Sequence, residues 1–298
     1  MRNAFRAAVL SCVAALAPAS ASAWGFAGHR FIMARAIDLL PPPLKTFYDK
    51  NRDEIVARSV DPDLWRNVGW EDDPNHYLNF GVREYGAFPF VALPRDLESA
   101  IDKFGIATLK RNGMLPWRAR ELFGDLRRTF EGFTRGTAYG PSDVILFSGA
   151  VGHYIQDAHQ PLHATNNYDG QLTGNQGVHA RFERDLIEKF LPRLRIEPRP
   201  PAPMQNARDA AFDALLASYQ QVAAVMKADS EAVAGKDTYD ADYFEKFFAR
   251  VRLILEERLS AAITATASAF IGAWEQAGRP AVTLEGARPV ERVRRPQP

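Results

Sequence analysis

The stretch PSDVILFSGAVGHYIQDAHQPLH, residues 141–163, joins a helix start, an apolar run and a row of metal-binding side chains. Its proline, serine and aspartate are typical of the first residues of a helix, and the apolar residues behind them predict that the helix continues. His153 and Asp157 are four residues apart, so this helix presents both on one face. Imidazole and carboxylate at this spacing can hold one cation.

A second pair with the same spacing follows at His179 and Glu183, and His163 lies between the two pairs. The intervening residues 165–177, TNNYDGQLTGNQG, are polar and rich in glycine, which is typical of a loop at the rim of an active site. Five of the six histidines therefore fit a pattern that indicates a metal cluster. We interpret the sixth, His159, as a packed residue or a donor to a ligand rather than a ligand itself.

Helical periodicity dominates the rest of the chain. Apolar residues recur at three- and four-residue spacing in the segments 29–40, 43–58, 94–111, 116–135, 141–159, 178–191, 206–228 and 240–277. Phe88–Leu93 is the best candidate for a short strand, and the proline-rich residues 192–203 are expected to form a surface linker. The sequence predicts an all-α protein with one domain, residues 24–277, because the candidate ligands extend from Trp24 to Glu183.

Residues 1–23 have the features of an export signal: a basic start, a short apolar run and a small-x-small end at Ala21-Ser22-Ala23. Cleavage after Ala23 would make Trp24 the first residue, and an uncleaved anchor or a lipoprotein site at Cys12 are the alternatives. Cys12 is the only cysteine, so the mature chain would have no disulfide. We expect a periplasmic or secreted protein, with a disordered tail at residues 278–298.

Charge and hydropathy narrow the function classes. The chain has 37 lysines and arginines against 36 acids, and loss of the two signal arginines leaves a formal charge of −1. This balance gives no global basic field for binding duplex nucleic acid. No apolar run after the signal is long enough to cross a membrane.

Further metal-binding groups precede the central cluster. An N-terminal amine beside its own carbonyl can chelate a metal, and cleavage before Trp24 would create that pair close to His29. Asp61, Asp63 and His76 follow. An aspartate followed by a histidine does not by itself indicate a metal site. Beside the central cluster, these residues supply the additional ligands that a site with several metals needs.

In this order the residues resemble the superfamily that unites zinc-dependent bacterial phospholipases C with the single-strand-specific zinc nucleases of fungi and plants. That superfamily begins its mature chain with tryptophan and continues with a histidine, an aspartate, a histidine, the run H-x-x-x-D-x-x-x-x-x-H and then H-x-x-x-[DE]. The matching residues are Trp24, His29, Asp63 or Asp61, His76, His153, Asp157, His163, His179 and Glu183. The resemblance extends to about residue 190, and the later helices match only as a generic helical remainder.

The resemblance implies three Zn²⁺ ions within the all-α domain. The first would be held by Asp63, His76, His153 and Asp157, the second by Trp24, His29 and Asp157, and the third by His163, His179 and Glu183. Asp157 would bridge the first two ions. The implied reaction is phosphodiester hydrolysis, in which a metal-activated water attacks phosphorus.

The implied catalytic residues are Asp63, Asp157 and Arg66. Asp63 followed three residues later by Arg66 resembles the nuclease pattern, in which the arginine contacts phosphate, although Arg66 could equally be an ordinary exposed arginine. Asp61 offers an alternative spacing to His76, so the choice between the two aspartates stays open. Residues that could line the pocket are Tyr77, Tyr168, Asn166 and Asn175.

The two branches of the superfamily differ in substrate. Glu183 as the last ligand, Asn166 after the His163-Ala164 step, and the missing cysteines favour a phospholipase C-like enzyme that acts on phospholipids. The HQPLH run at 159–163 and the Asp63–Arg66 pattern favour the alternative, a single-strand-specific endonuclease or 3′-nucleotidase. Asn79 stands where the nucleases have a base-reading aspartate, which argues against adenine-type recognition.

A second alternative is a non-catalytic, metal-stabilised helical protein that binds its ligand without turning it over. For the enzyme, the expected partners are a phospholipid headgroup or single-stranded nucleic acid as substrate, with no stable protein partner and a monomeric state.

Overall fold

A computed structural model describes residues 24–135 and 140–283. The predicted export signal, residues 1–23, lies outside the described residues, as does the part of the predicted tail from residue 284 onward. The described chain forms a single compact helical domain, which confirms the predicted all-α class.

The α-helices are α1 (Gly25–Asp38), α2 (Pro42–Lys50), α3 (Arg52–Arg58), α4 (Asp61–Trp65), α5 (Leu97–Phe104), α6 (Ile106–Asn112), α7 (Leu115–Arg135), α8 (Pro141–Asp157), α9 (Val178–Ala180), α10 (Leu186–Phe190), α11 (Ala207–Val233) and α12 (Ala241–Gln276). Short 3-10 helices cover Arg66–Val68, Asp73–His76, Arg83–Tyr85, Pro161–Ala164 and Leu191–Arg193, and a π-helical turn, Arg181–Asp185, joins α9 to α10. Within the described ranges there is no β-strand.

Three predictions of local structure are wrong. The strand candidate Phe88–Leu93 forms turns. The helix predicted over 43–58 is divided at Asn51, and the one predicted over 94–111 is divided at Gly105, whose φ of 77° lies in the left-handed region that glycine adopts at little cost. Apolar periodicity continues across both breaks because each pair of helices still packs one face on the same core.

Helix α8 is buried along most of its length, among α1, α3, α7 and α12. Two glycines let its neighbours approach closely. A Cβ atom at Gly149 would lie 2.7 Å from Cβ of Arg58, and one at Gly152 would lie 2.4 Å from Cε of Met33. Because α1 packs this closely against α8, the imidazole rings of His29 and His153 stack with their centroids 4.1 Å apart.

After the 3-10 helix Leu191–Arg193, the segment predicted as a surface linker has no regular secondary structure and lies along α12, held there by hydrogen bonds from its backbone N–H groups to side chains of that helix. These are Arg195 N–H to Glu256 Oε1 (2.9 Å), Glu197 N–H to Ser260 Oγ (2.9 Å) and Arg199 N–H to Thr264 Oγ1 (3.0 Å). The donors are two residues apart and the acceptors four residues apart. Two residues of extended chain advance about 6.6 Å and four residues of helix about 6 Å, so each donor lies opposite its acceptor.

A short parallel pairing joins two irregular segments next to α8. Leu78 N–H donates to the His163 carbonyl (2.9 Å), and Phe80 and Thr165 form an isolated parallel bridge. This pairing places His76 beside His163. None of the described helices combines the length and the apolar character needed to span a membrane.

Candidate metal centre

Five histidines and three carboxylates converge into three groups whose potential ligand atoms lie within 4.8 Å of one another in each group. We call them the His29 group (His29, His153, Asp157), the His76 group (Asp63, His76, His153) and the Glu183 group (His163, His179, Glu183). All of these residues are buried except His76, which is partly exposed. Each group could hold a metal ion, and together they form the candidate metal centre.

Asp157, at the end of α8, directs its two oxygens toward different groups. Oδ1 lies 3.3 Å from His29 Nε2. Oδ2 lies 3.0 Å from His76 Nδ1 and 3.2 Å from His153 Nε2. The carboxylate therefore contacts a histidine of the His29 group with one oxygen and a histidine of the His76 group with the other.

The structure separates the two candidate aspartates of α4. Asp63 is buried, and its Oδ1 lies 3.8 Å from both His76 Nδ1 and His153 Nε2. Asp61 instead pairs with Arg58 at 3.1 Å on the half-buried side of the helix. Asp63 is the aspartate that faces the histidines.

The Glu183 group forms where α9 passes into the π-helical turn. His179 Nε2 lies 2.9 Å from Glu183 Oε2 and 3.2 Å from His163 Nε2. Gln160, which sequence reasoning did not single out, is fully buried and donates its amide N–H to Glu183 Oε2 at 2.9 Å. A π-helical turn is rare and frequently marks a functional site.

Hydrogen bonds outside the cluster determine which nitrogen of each histidine faces inward. Four histidines donate Nδ1–H to an oxygen that can only accept: His153 to Ser59 O (2.8 Å), His163 to His76 O (2.6 Å), His179 to Tyr168 O (3.1 Å) and His29 to Gln156 Oε1 (2.6 Å). Because the proton is on Nδ1, the lone pair of Nε2 is left for a metal.

His76 has the opposite arrangement. Its Nε2–H donates to Asp72 Oδ2 at 3.1 Å, and Nδ1 faces Asp157 and His153, each at 3.0 Å. Sequence reasoning missed Asp72. The four-residue spacing between Asp72 and His76 could have indicated this contact. The same spacing is common on helical surfaces, so it does not identify a functional pair.

The residues fit a bound metal. His29 Nε2 and Asp157 Oδ1 are both buried, and apart from their contact with each other at 3.3 Å neither has a hydrogen-bond partner within the described part of the chain. Buried polar atoms are rarely left in this state, because an unmade hydrogen bond costs free energy. A cation between the two atoms would satisfy both, and a donor set of imidazole nitrogens and carboxylate oxygens suits Zn²⁺.

The electrostatics of the centre agree with this fit. Burial alone would lower the pKa of His76, but hydrogen bonds to Asp157 and Asp72 outweigh it and raise that pKa to about 10. Burial works against ionisation of Asp157, yet His153, His29 and His76 hold the pKa of this carboxyl well below its usual range. A ligating nitrogen must be free of its proton, so metal binding and protonation of His76 compete.

A cavity of about 410 Å³ opens onto the centre. Its walls are formed by Asp73, His76, Tyr77, Asn79, Arg111, Leu162, His163, Tyr168 and His179. Tyr77 and Tyr168 line it as expected, but Asn166 and Asn175 do not. Asn175 instead donates to Asp229 Oδ2 and Ser230 Oγ, both at 2.8 Å, which anchors the glycine-rich loop to α11.

Three further residues were considered in the sequence analysis as ligands, phosphate contacts or donors to a ligand. Trp24 is buried and donates its indole N–H to the Gln156 carbonyl at 2.9 Å, next to Asp157, while Ala23 before it is outside the described residues. Arg66 begins a 3-10 turn, and its side chain is also outside the described part. His159 belongs to none of the three groups; its Nδ1–H donates to the Ile155 carbonyl at 2.7 Å.

No protein-family model and no curated protein matches this sequence. The case for a function therefore rests on the residues and geometry of the metal centre.

Proposed function

We propose that the protein is a zinc-dependent phosphodiester hydrolase that acts on phospholipids. The observation that carries the proposal is the position of Asp157, which faces the His29 group with one oxygen and the His76 group with the other. A carboxylate between two ligand sets, with a third set nearby and a cavity above, is the arrangement that a multi-metal phosphoesterase requires.

The first ion would be held by Asp63, His76, His153 and Asp157, the second by His29 and Asp157 together with the amine and carbonyl of Trp24, and the third by His163, His179 and Glu183. When bound, zinc supplies Lewis-acid polarisation of phosphoryl oxygens and lowers the pKa of water toward neutrality.

The protein's own side chains hold and orient the substrate. Asp157 stays a carboxylate at neutral pH because its pKa is held low, so it would hold metal rather than act as a general acid. Arg111 is exposed on the cavity wall, where its guanidinium can pair with a phosphate oxygen. It would assist or replace Arg66 in this task.

An exposed apolar segment next to the centre supports a lipid substrate. Leu64, Val68 and Trp70, which closely follow Asp63, are 40%, 70% and 60% exposed. Tryptophan and aliphatic side chains suit the boundary between water and lipid. Trp70 could stack a nucleobase as well as enter a lipid interface, but the aliphatic Leu64 and Val68 beside it have no such face and therefore favour a lipid.

The second candidate, a single-strand-specific nuclease, is supported by the tyrosines of the cavity. Tyr77 and Tyr168 could stack a nucleobase. The same two rings could also contact the ammonium group of a lipid headgroup, so they fit both candidates.

The test offers zinc-loaded protein that begins at Trp24 both phosphatidylcholine vesicles and single-stranded DNA, with a chelator and Asp157→Asn as controls. Chelator-sensitive release of phosphocholine supports the proposal. Release of nucleotides alone would make the protein a nuclease. No product from either substrate, with folded and metal-loaded protein, would contradict hydrolysis and favour a metal-stabilised binding protein.

A further inference from the structure

Among the five histidines of the metal centre, His76 alone directs Nδ1 inward and donates Nε2–H outward. It is also the one whose outward partner is a carboxylate, that of Asp72. The other four donate to uncharged carbonyl or amide oxygens. The contact between Asp72 and His76 therefore differs from the other four in the ring nitrogen and in charge.

Asp72 is itself fixed by groups that lie outside the metal centre. It is 5% exposed and accepts a hydrogen bond from Asn75 Nδ2 at 2.8 Å and another from the Tyr154 hydroxyl. Arg118 Nη2 lies 3.9 Å from Asp72 Oδ1. Tyr154 follows the ligand His153 on α8, so the same helix positions a ligand and the carboxylate behind a second ligand.

A carboxylate behind a metal-bound imidazole acts in two ways. It fixes the ring orientation and the tautomer, and it makes the ligating nitrogen more basic. Charge-assisted hydrogen bonds are about twice as strong as neutral ones, so Asp72 should do more for His76 than a carbonyl oxygen does for any of the other four histidines.

We propose that Asp72 is a positioning residue for the metal centre: it selects Nδ1 as the ligating atom of His76 and strengthens metal binding in the His76 group relative to the other two groups. Asn75 and Tyr154 hold the carboxylate in the orientation that this requires. The inference rests on the proposed metal centre.

A purely structural role for Asp72 makes a different prediction. In that case Asp72 would only connect the turn Asp73–His76 to α8, and its loss would destabilise the domain without changing one metal site more than the others. The order in which the three ions are lost separates the two roles.

The experiment compares wild type, Asp72→Asn and Tyr154→Phe by zinc competition with a chelator and by the absorption spectrum of the cobalt-substituted protein. Asp72→Asn should weaken one of the three sites about 10- to 100-fold and leave the other two at wild-type affinity. Tyr154→Phe removes one of the two hydrogen bonds that orient the Asp72 carboxylate but keeps the contact between Asp72 and His76, so it should weaken the same site by less than Asp72→Asn does. Equal affinities in wild type and Asp72→Asn, or equal weakening of all three sites, would overturn the proposal.

A measurement on the wild type keeps the proposal testable if Asp72→Asn does not fold. ¹⁵N NMR of the zinc-loaded protein should show metal on Nδ1 and a proton on Nε2 for His76, and the reverse for the other four ligands. Ligation of His76 through Nε2, in a protein that holds three ions, would overturn this inference alone. A wild-type protein that binds no zinc would overturn the metal centre as well.

Discussion

Asp157 Oδ1 lies 3.3 Å from His29 Nε2, and no other described residue gives either atom a hydrogen bond. The other oxygen of the same carboxylate lies 3.0 Å from His76 Nδ1. One buried side chain thus contacts two of the three groups. The loss of Asp157 should therefore affect more than one ion.

Asp157→Asn is expected to remove two of the three zinc ions, because the amide is a poor ligand and its nitrogen faces one of the two sets. Glu183→Gln is the matched change, and it should remove only the ion of the Glu183 group. Metal content per protein after desalting measures both. The same zinc loss in the two variants would contradict the bridging role of Asp157.

Arg111→Gln is expected to raise KM for a phosphodiester substrate by about 10- to 100-fold, the effect of losing one hydrogen bond to a charged group. Zinc content should not change, since the side-chain hydrogen bond of Arg111 goes to Thr108 Oγ1 and not to a candidate ligand. Lys110→Gln is the control, because Lys110 pairs at 3.7 Å with the exposed Glu71 and does not line the cavity. An unchanged KM in Arg111→Gln would remove Arg111 from the substrate site.

Asp229→Ala is expected to destabilise the domain by about 3–5 kcal/mol, because it leaves the buried guanidinium of Arg181 without its carboxylate. Asp229 Oδ1 accepts from Arg181 Nη2 at 2.9 Å. The matched control, Glu231→Ala, removes an exposed pair with Arg250 and should cost at most about 1 kcal/mol. Urea unfolding of the metal-free proteins measures both, and equal losses would rule out a special role for the buried pair.

His159→Asn should remove part of the acid sensitivity of the domain. Burial, with a contribution from Arg258, lowers the pKa of His159 to about 4 from its usual 6.5. The folded state therefore resists protonation, so this contribution to stability is fully present above pH 6.5 and is lost as the pH falls toward 4. It amounts to about 3 kcal/mol.

The asparagine can still donate to the Ile155 carbonyl, so the change mainly removes the titrating group. The measurement is the difference in unfolding free energy between wild type and variant at pH 7 and at pH 4, with chelator present. The unfolding free energy of the wild type relative to the variant should fall by about 3 kcal/mol between pH 7 and pH 4. A difference that does not vary with pH would contradict the lowered pKa of His159.

Adding one residue before Trp24 should remove the ion of the His29 group and most of the activity, because only a free amine at Trp24 can chelate with its own carbonyl. Zinc content and turnover of proteins with and without the extra residue give the comparison. Full activity with the extension in place would count against the ligand role of Trp24.

Regular spacing made much of the protein predictable. The pairs His153–Asp157 and His179–Glu183 could be identified because a helix brings residues four apart onto one face, and the long helices α7, α8, α11 and α12 follow from their apolar period. The break at Gly105 was missed because periodicity alone does not mark a left-handed residue.

The role of Asp72 was not predictable, because it depends on contacts made in three dimensions. Its partner Tyr154 is 82 residues away along the chain, and only the packing of α8 brings the two together. The orphaned atoms of His29 and Asp157 depend in the same way on the close contact of α1 with α8, which glycines allow and which no local pattern specifies.

The most direct test of the account is anomalous diffraction at the zinc edge from crystals of the zinc-loaded protein. Three peaks are expected: one beside each oxygen of Asp157, and one among His163, His179 and Glu183. The absence of a peak between His29 and Asp157, with those two side chains in direct contact instead, would contradict the central claim that Asp157 bridges two metal ions.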